Sequence, residues 1–485
     1  MIAHHILSKL REIVGQENYL DSPEDKLAYS YDGTPLLKQL PDAALIPRSP
    51  EQISRILRLA NDEHFAVVPR GSGSGLSGGS IPVEDSVVLL MNQWKKILEI
   101  DERNLTAWVE PGVITGEFHT TVEARGLFYP PDPGSAAICT LGGNVSENAG
   151  GLRGLKYGVT KNYVLGLEVV LPTGELMRFG GKSVKDVAGY NLKDFLVGSE
   201  GTLGVMTKIL LRLIPKPDTS RTMLAFYDKL SDAAETVSDI IASKITPAAL
   251  EFLDNTTIRC VEEYAHLGLP TTIESLLLIE VDGRQSVVDE DAATITALCR
   301  KHHAVNVKMA ADVSEAAKLR SARKIAFSSL ARVRPTTILE DATVPRSELA
   351  AMLERIGEIT KKYSLQFGNF GHAGDGNLHP TCLTDERDHD EIHRAERAFE
   401  EIFTEAVKFG GTISGEHGTG LSKKKFLSMV MDPPAIEMMK QIKSVIDPNG
   451  VLNPGKIFSL KPRCEGPMPK NQEMIKKYLE QGAFT

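Results

Sequence analysis

Residues 368–380 read Gly-Asn-Phe-Gly-His-Ala-Gly-Asp-Gly-Asn-Leu-His-Pro, and residues 414–420 read Ser-Gly-Glu-His-Gly-Thr-Gly. His372 and His379 lie seven apart across a glycine-interrupted segment, which is not the i,i+4 spacing of a metal-binding helix. A strand–loop arrangement can instead fold both imidazoles toward one point. With the Glu416 carboxylate they form a nitrogen, nitrogen, oxygen set, borderline to hard. Zinc, ferrous iron or manganese suits such a set, with coordination positions left for a substrate. Taken singly, each histidine is more often a hydrogen-bonded turn residue, Glu416 a plain ion-pair member and His417 an ordinary strand-end residue. Four ionisable groups among glycines suit a core poorly, and the glycines imply close backbone approach to something. The set is therefore read as a candidate metal site.

A different chemistry is written into residues 69–82, Pro-Arg-Gly-Ser-Gly-Ser-Gly-Leu-Ser-Gly-Gly-Ser-Ile-Pro. Gly73, Gly75 and Gly78 fit G-x-G-x-x-G, but a Rossmann fingerprint needs a helix directly after its glycines. Here a strand, Val87 to Met91, comes next, so that reading fails on context. Backbone N–H groups in such a loop can still converge on an anion, and Arg70 and four serines add donors. The competing reading is a flexible surface loop. Two further segments weigh against it. One runs Pro130-Pro131-Asp132-Pro133-Gly134-Ser135 and then Cys139 to Gly151; the other runs Gly198-Ser199-Glu200-Gly201-Thr202-Leu203-Gly204-Val205. Three such loops beside short strands suit a large, elongated, doubly charged ligand held mainly by backbone.

The elements that must position these groups fall into two textures. A helix over 49–64 opens with Ser49 as N-cap, Pro50 in the first turn and Gln52 closing a capping box. Its Ile53, Ile56, Leu57 and Ala60 form one apolar stripe. Ile6, Leu7, Leu10 and Ile13 make the N-terminus an amphipathic helix, not a signal peptide. Short strands follow at 65–69, 87–91, 105–110, 164–171 and 176–179, the last two joined through Pro172-Thr173-Gly174 as a hairpin. A helix near 115–125 stops at Gly126. Ile214-Pro215-Lys216-Pro217-Asp218 is the expected linker, because two prolines interrupt helix and sheet. Beyond it, strands (222–228, 248–253, 275–281, 305–309) alternate with helices (231–243 and one ending at His303). That alternation predicts a sheet covered on one face by helices.

Taken together, the three glycine-rich loops and the two histidine motifs resemble the FAD-linked oxidases of the vanillyl-alcohol oxidase and p-cresol methylhydroxylase type. The resemblance spans about residues 40–458 and is strongest to the glycolate oxidase D-subunit and D-lactate dehydrogenase branch. It implies an α+β fold: a two-part PCMH-type FAD-binding domain plus a cap domain with an antiparallel, helix-covered sheet. The implied divisions are a helical segment 1–39, the FAD domain 40–217, the cap with the metal site 218–440, a return to the FAD domain 441–460, and a tail 461–485.

By the same resemblance, Arg70, Gly71, Ser72, Gly73, Ser74, Gly75, Leu76 and Ser77 wrap the FAD pyrophosphate, with Gly78 close by. Pro131, Asp132, Ser135, Thr140, Gly143, Asn144, Ser146 and Gly150 line the flavin side. Glu200, Gly201, Thr202, Gly204 and Val205 meet the adenosine and ribose, and Asn453 adds a C-terminal contact. The first loop lacks a histidine, so non-covalent FAD is expected. His372, His379 and Glu416 match the family's ligands for one divalent metal. His417, beside a ligand and titrating near neutral pH, is the expected general base. Arg323 stands where the family anchors the substrate carboxylate, with Arg332 a weaker candidate. Phe327 stands where relatives acting on dicarboxylates carry a threonine, and no lysine appears around Ile338 to Asp341. The expected substrate is thus a small D-2-hydroxy monocarboxylate, D-lactate or glycolate.

Bulk properties narrow the partners. A net charge of -9 argues against nucleic acid. No apolar run reaches membrane-spanning length. Five scattered cysteines without a C-x-x-C pair offer no iron–sulfur cluster, and a cytoplasmic location is the expectation. Electrons would therefore leave through a partner, an iron–sulfur subunit or an electron-transferring flavoprotein, which could hold the chain at a membrane periphery and dock on the tail. The alternative is a flavin-carrying electron-transfer or assembly subunit with an idle substrate site.

Overall fold

The computed structural model describes residues 1–459, so the tail beyond them lies outside the described residues. The helix Pro50–Glu63 begins as its sequence requires: Ser49 Oγ accepts from Gln52 N–H, and Pro50 fills the first turn. The Gln52 side chain accepts from Arg48 N–H at 2.7 Å, one residue upstream of the cap. Together with His4–Val14 it covers a four-stranded sheet through Leu10, Ile13, Ile53 and Leu57. The sheet order is Tyr19–Leu20, Ala43–Leu45, Ser86–Leu90, Ala66–Arg70, the last three parallel. The glycine-rich loop joins the two parallel neighbours Ala66–Arg70 and Ser86–Leu90 with no helix after its glycines.

A second, antiparallel sheet has the order Ile97–Asp101, Thr106–Val109, Val205–Arg212, Val164–Val170, Leu176–Gly180. Its expected hairpin is present, with Val170 paired to Leu176 and Gly174 at φ +89° in the turn. The helix Thr115–Glu123 is followed by Gly126 at φ +72°, which a side chain would strain. The proline-rich segment is not a free linker, contrary to expectation. Ile214–Pro215 pairs antiparallel with Leu127–Phe128, and Lys216 N–H donates to Gly126 C=O at 3.0 Å. So short a ribbon asks no ladder bond of the proline nitrogen, which is why proline is tolerated there.

The remaining strands form one eight-stranded antiparallel sheet. Along its main path the order is Asn306–Met309, Thr219–Tyr227, Ser275–Gly283, Ala249–Asp254, Gln366–His372, Asn377–Thr384, Thr336–Leu339; Ala342–Thr343 also pairs with Asn377–Thr384. Helices cover both of its faces, where one was expected. Met223, Ala225 and Tyr227 pack with the helices Leu230–Ala242, Gln285–Lys301, Leu349–Lys362 and His389–Lys408. Leu224 and Phe226 point the other way, onto Asn255–Ala265, Val313–Lys324 and Ala326–Leu330. Strands apolar on both sides need cover on both sides, and the run Leu276-Leu277-Leu278-Ile279 already carries that message. Because side chains alternate, the second face that takes Leu253 and Phe370 also takes Glu251, His372 and His379.

After the helix Pro433–Ile446 the chain returns to the first sheet. Leu452 bridges Val67 in parallel, and Asn453 N–H donates to Val67 C=O at 2.9 Å. Lys443, buried, ties this segment down by donating to Thr202 C=O at 2.6 Å and Leu452 C=O at 2.7 Å.

Candidate functional site

The strands Gln366–His372 and Asn377–Thr384 pair directly and are joined by a tight turn in which Gly376 sits at φ +82°. A Cβ on Gly371 would stand 2.4 Å from Asn377 C=O, so the paired backbones can approach only with glycine there. This hairpin sets the His372 and His379 rings edge to face, 5.1 Å between centroids. Their Nε2 atoms lie 3.1 and 3.2 Å from the same oxygen of Glu416. One donor atom from each of the three residues falls within 4.8 Å of the others, a group that could hold a metal ion. The His417 ring stacks on His379 at 5.1 Å and 13°.

Burial and charge set the protonation of these groups. Burial alone would hold His372 neutral, but Glu251 and Glu416 override it and raise its pKa well above the usual imidazole value. His379 is pushed down to about 3 by burial, and His417 is lowered by burial against the pull of Asp341. Glu416 resists its own burial because His372 and His379 hold it ionised. The result is a charged His372 held between Glu251 and Glu416, with His379 and His417 neutral beside it.

A second acid shapes the loop that carries Glu416 and His417. Asp341, fully buried, accepts N–H bonds from Gly415 at 2.6 Å and Glu416 at 2.8 Å, and the hydroxyl of Ser414 at 3.1 Å. Its charge is sustained by the equally buried Lys423, which pairs with it directly. Asp341 Oδ1 also faces His417 Nδ1 at 3.5 Å, leaving Nε2 as the outward nitrogen.

The three glycine-rich loops converge on this same loop. Ser77 C=O accepts from Leu421 N–H at 2.8 Å, and a Cβ on Gly420 would stand 2.0 Å from that carbonyl oxygen. A Cβ on Gly150 would stand 2.6 Å from Glu416, and one on Gly71 2.4 Å from Thr140 Oγ1. Asn453 donates to Gly79 C=O and Glu200 C=O, binding the C-terminal return to the first and third loops. Among the described residues, Ser77 Oγ, Glu147 Oε2 and Asn453 Oδ1 are buried there without partners. Unsatisfied polar atoms in a glycine-lined cradle fit a bound polar ligand such as a dinucleotide.

Several predicted residues carry structural duties of their own. Thr140 caps the helix Leu141–Glu147 by accepting from Gly143 N–H. Asn144 donates to Thr115 Oγ1 at 2.7 Å, Ser146 C=O accepts from Glu200 N–H at 2.8 Å, and Val205 packs into the core. Glu200, expected against adenosine and ribose, turns both carboxylate oxygens to the N–H groups of Thr419 and Gly420 at 2.7 Å. Asp132 meets Lys324 at 3.6 Å and Arg153 at 3.8 Å, cations that hold it ionised despite burial. Arg323, expected as a substrate fork, is buried over the Phe370 ring with Nε 2.7 Å from Glu251.

Glu251, Asp341, Lys423 and Glu147 were not anticipated. Glu251 interrupts the apolar run Ala248-Ala249-Leu250-Glu251-Phe252-Leu253, and Asp341 follows Thr336 to Glu340 in a strand-like stretch. An acid inside a buried strand was the available signal. Lys423 had none, since Lys423-Lys424-Lys425 reads as a solvated run.

The glycine-lined cradle beside a histidine–glutamate cluster fits a flavin-binding oxidoreductase, and comparison with known proteins places the chain. Residues 41–180 match the family described as FAD binding domain, and 216–457 that described as FAD linked oxidases, C-terminal domain. The chain is 53% identical to the glycolate oxidase subunit GlcD of Bacillus subtilis (strain 168), over 95% of this chain and 98% of that one. It is 33% identical to a D-lactate dehydrogenase of Anaerostipes hadrus, over 92% and 94%. Its fold superposes on p-cresol methylhydroxylase with a TM-score of 0.79, at 19% identity over 95% and 98%. The chain belongs to the FAD-linked oxidase family, in the glycolate oxidase and D-lactate dehydrogenase group, and is an FAD-dependent oxidoreductase. No helix among the described residues is long and apolar enough to cross a membrane.

Proposed function

We propose that this enzyme oxidises a small D-2-hydroxy acid, glycolate or D-lactate, to the 2-oxo acid. The single observation that carries the reading is the meeting of His372, His379 and Glu416 on one point with the His417 ring stacked beside them. Bound FAD supplies the acceptor for a hydride from the substrate Cα, and a divalent ion on the three donors supplies positive charge that acidifies a hydroxyl and attracts a carboxylate. His417 takes the hydroxyl proton at Nε2, the nitrogen turned away from Asp341. Its lowered pKa keeps that nitrogen unprotonated at neutral pH. Arg323 orients the substrate carboxylate, and Phe327 in place of a threonine, with no lysine around Ile338 to Asp341, leaves no anchor for a second carboxylate. On this reading FAD is bound non-covalently by residues 40–217, and 218–440 carry the metal and substrate groups.

Electrons leave through a partner protein, since only four cysteines fall among the described residues, none bonded to another. The word "subunit" in the name of the Bacillus subtilis relative supports such an assembly. The test is anaerobic mixing of the FAD-loaded protein with glycolate, D-lactate, L-lactate and D-2-hydroxyglutarate while the flavin band is followed. Bleaching by glycolate or D-lactate, abolished in His417→Ala, is expected. No bleaching by any of them with metal bound would overturn the assignment in favour of a flavin-carrying electron-transfer subunit.

A further inference from the structure

Glu251 comes from the strand Ala249–Asp254, His372 from Gln366–His372 and Arg323 from the helix Val313–Lys324, yet the three meet in one buried contact. The Glu251 side chain is 1% exposed, His372 6% and Arg323 7%. One Glu251 oxygen lies 2.8 Å from His372 Nδ1; the other lies 2.7 Å from Arg323 Nε. A carboxylate at Nδ1 requires a hydrogen on that nitrogen, which fixes the ring plane and points Nε2 toward Glu416. The other oxygen stands at ion-pair distance from Arg323 Nε without hydrogen-bond alignment, while the guanidinium carbon lies 4.7 Å over the Phe370 ring and its Nη atoms meet no other acid among the described residues.

We propose that Glu251 is the shared positioning residue of the site, setting the metal-facing nitrogen of His372 and the carboxylate-facing edge of Arg323 with a single side chain. This deepens the functional reading above and rests on it. Metal geometry and substrate recognition are then coupled through one carboxylate: a displacement of Glu251 disturbs both. No other acid can take over either duty: Glu416 meets His372 only at Nε2, on the opposite side from Glu251, and Arg323 has no other acid within ion-pair distance among the described residues.

The experiment compares wild type, Glu251→Gln and Glu251→Ala as full-length, FAD-loaded chains. Each is stripped with chelator and titrated with zinc(II) and manganese(II) by equilibrium dialysis, and KM and kcat for glycolate and D-lactate are measured separately. Glu251→Ala is expected to weaken metal binding about 10- to 100-fold and to raise KM about tenfold or more. Glutamine has one acceptor oxygen, so Glu251→Gln can serve His372 or Arg323 but not both; it loses metal affinity or substrate affinity. If the alanine chain does not fold, the isosteric glutamine chain carries the test. A folded Glu251→Gln chain with metal affinity and KM both within twofold of wild type, changed in thermal midpoint alone, overturns this inference. A wild-type chain that binds neither ion overturns the functional reading itself, and is recognised without any variant.

Discussion

The glycine-rich loop after Ala66–Arg70 and the histidine hairpin Gln366–Thr384 solve opposite problems. The first must bring backbone close to other loops, so it works by leaving side chains out: an added Cβ would fall 2.4 Å from Thr140 Oγ1 at Gly71 and 3.1 Å from Leu421 Cβ at Gly78. The second must hold side chains still, so it sets His372 and His379 on paired strands with the buried Glu251 behind His372, while Asp341 stands behind His417 on the neighbouring loop. A backbone cradle is broken by adding an atom; a side-chain site is broken by removing one. The two regions should therefore fail in different ways.

The largest separation is expected from His417→Ala, which should slow flavin reduction by substrate about 100- to 10,000-fold with flavin and metal content unchanged. Stopped-flow absorbance together with metal analysis checks this. Loss of flavin in that variant would erase the distinction. Next, Asp341→Ala leaves Lys423 buried without its main partner and should cost about 3–5 kcal/mol of stability, read from denaturant unfolding of the flavin-free chain. Gly78→Ala forces a side chain to 3.1 Å from Leu421 Cβ at φ +80°. It should cost about 1–3 kcal/mol and release FAD on gel filtration while zinc binding persists.

A pH profile sharpens the comparison further. Because burial lowers the pKa of His417, the base stays neutral below the usual imidazole range, so flavin reduction should lose rate on the acid side only below about pH 6.5. Asp341 raises that pKa, so Asp341→Asn should move the acid limb lower still. An acid limb above 6.5 would contradict the burial argument. The smallest effect is Ser49→Ala, which removes an N-cap at about 1 kcal/mol and should leave flavin, metal and rate untouched.

The same contrast explains what the sequence could tell. Strands, caps and turns set by local chemistry were legible: Ser49 with Pro50, the Pro172-Thr173-Gly174 hairpin, the stop at Gly126. Glycine density pointed to the loops, and the spacing of His372 and His379 to a strand–loop pair. The ribbon formed by Ile214–Pro215 was not legible, because its partner Leu127–Phe128 lies far away in the chain. Nor was the second helical layer on the large sheet, which must be inferred from strands apolar on both sides. Glu251 and Asp341 stand 121 and 76 positions from the histidines they face, and no local pattern links acids to imidazoles over such distances. Lys423 inside a lysine run carries no signature of burial at all.

The return of Leu452 and Asn453 to Val67 also has a consequence in time. The first sheet is made from the opening quarter of the chain, but its closing contacts, and the Asn453 bridge between two of the glycine loops, arrive only near the end. About 240 residues separate Arg212 from that closure, roughly ten to fifty seconds of ribosomal synthesis. Through that interval the nucleotide half is an unfinished shell with its cradle open. On the proposed reading flavin capture is a late event in the life of the chain, and any truncation that spares every strand but drops the final segment should yield a protein that folds in part and stays colourless.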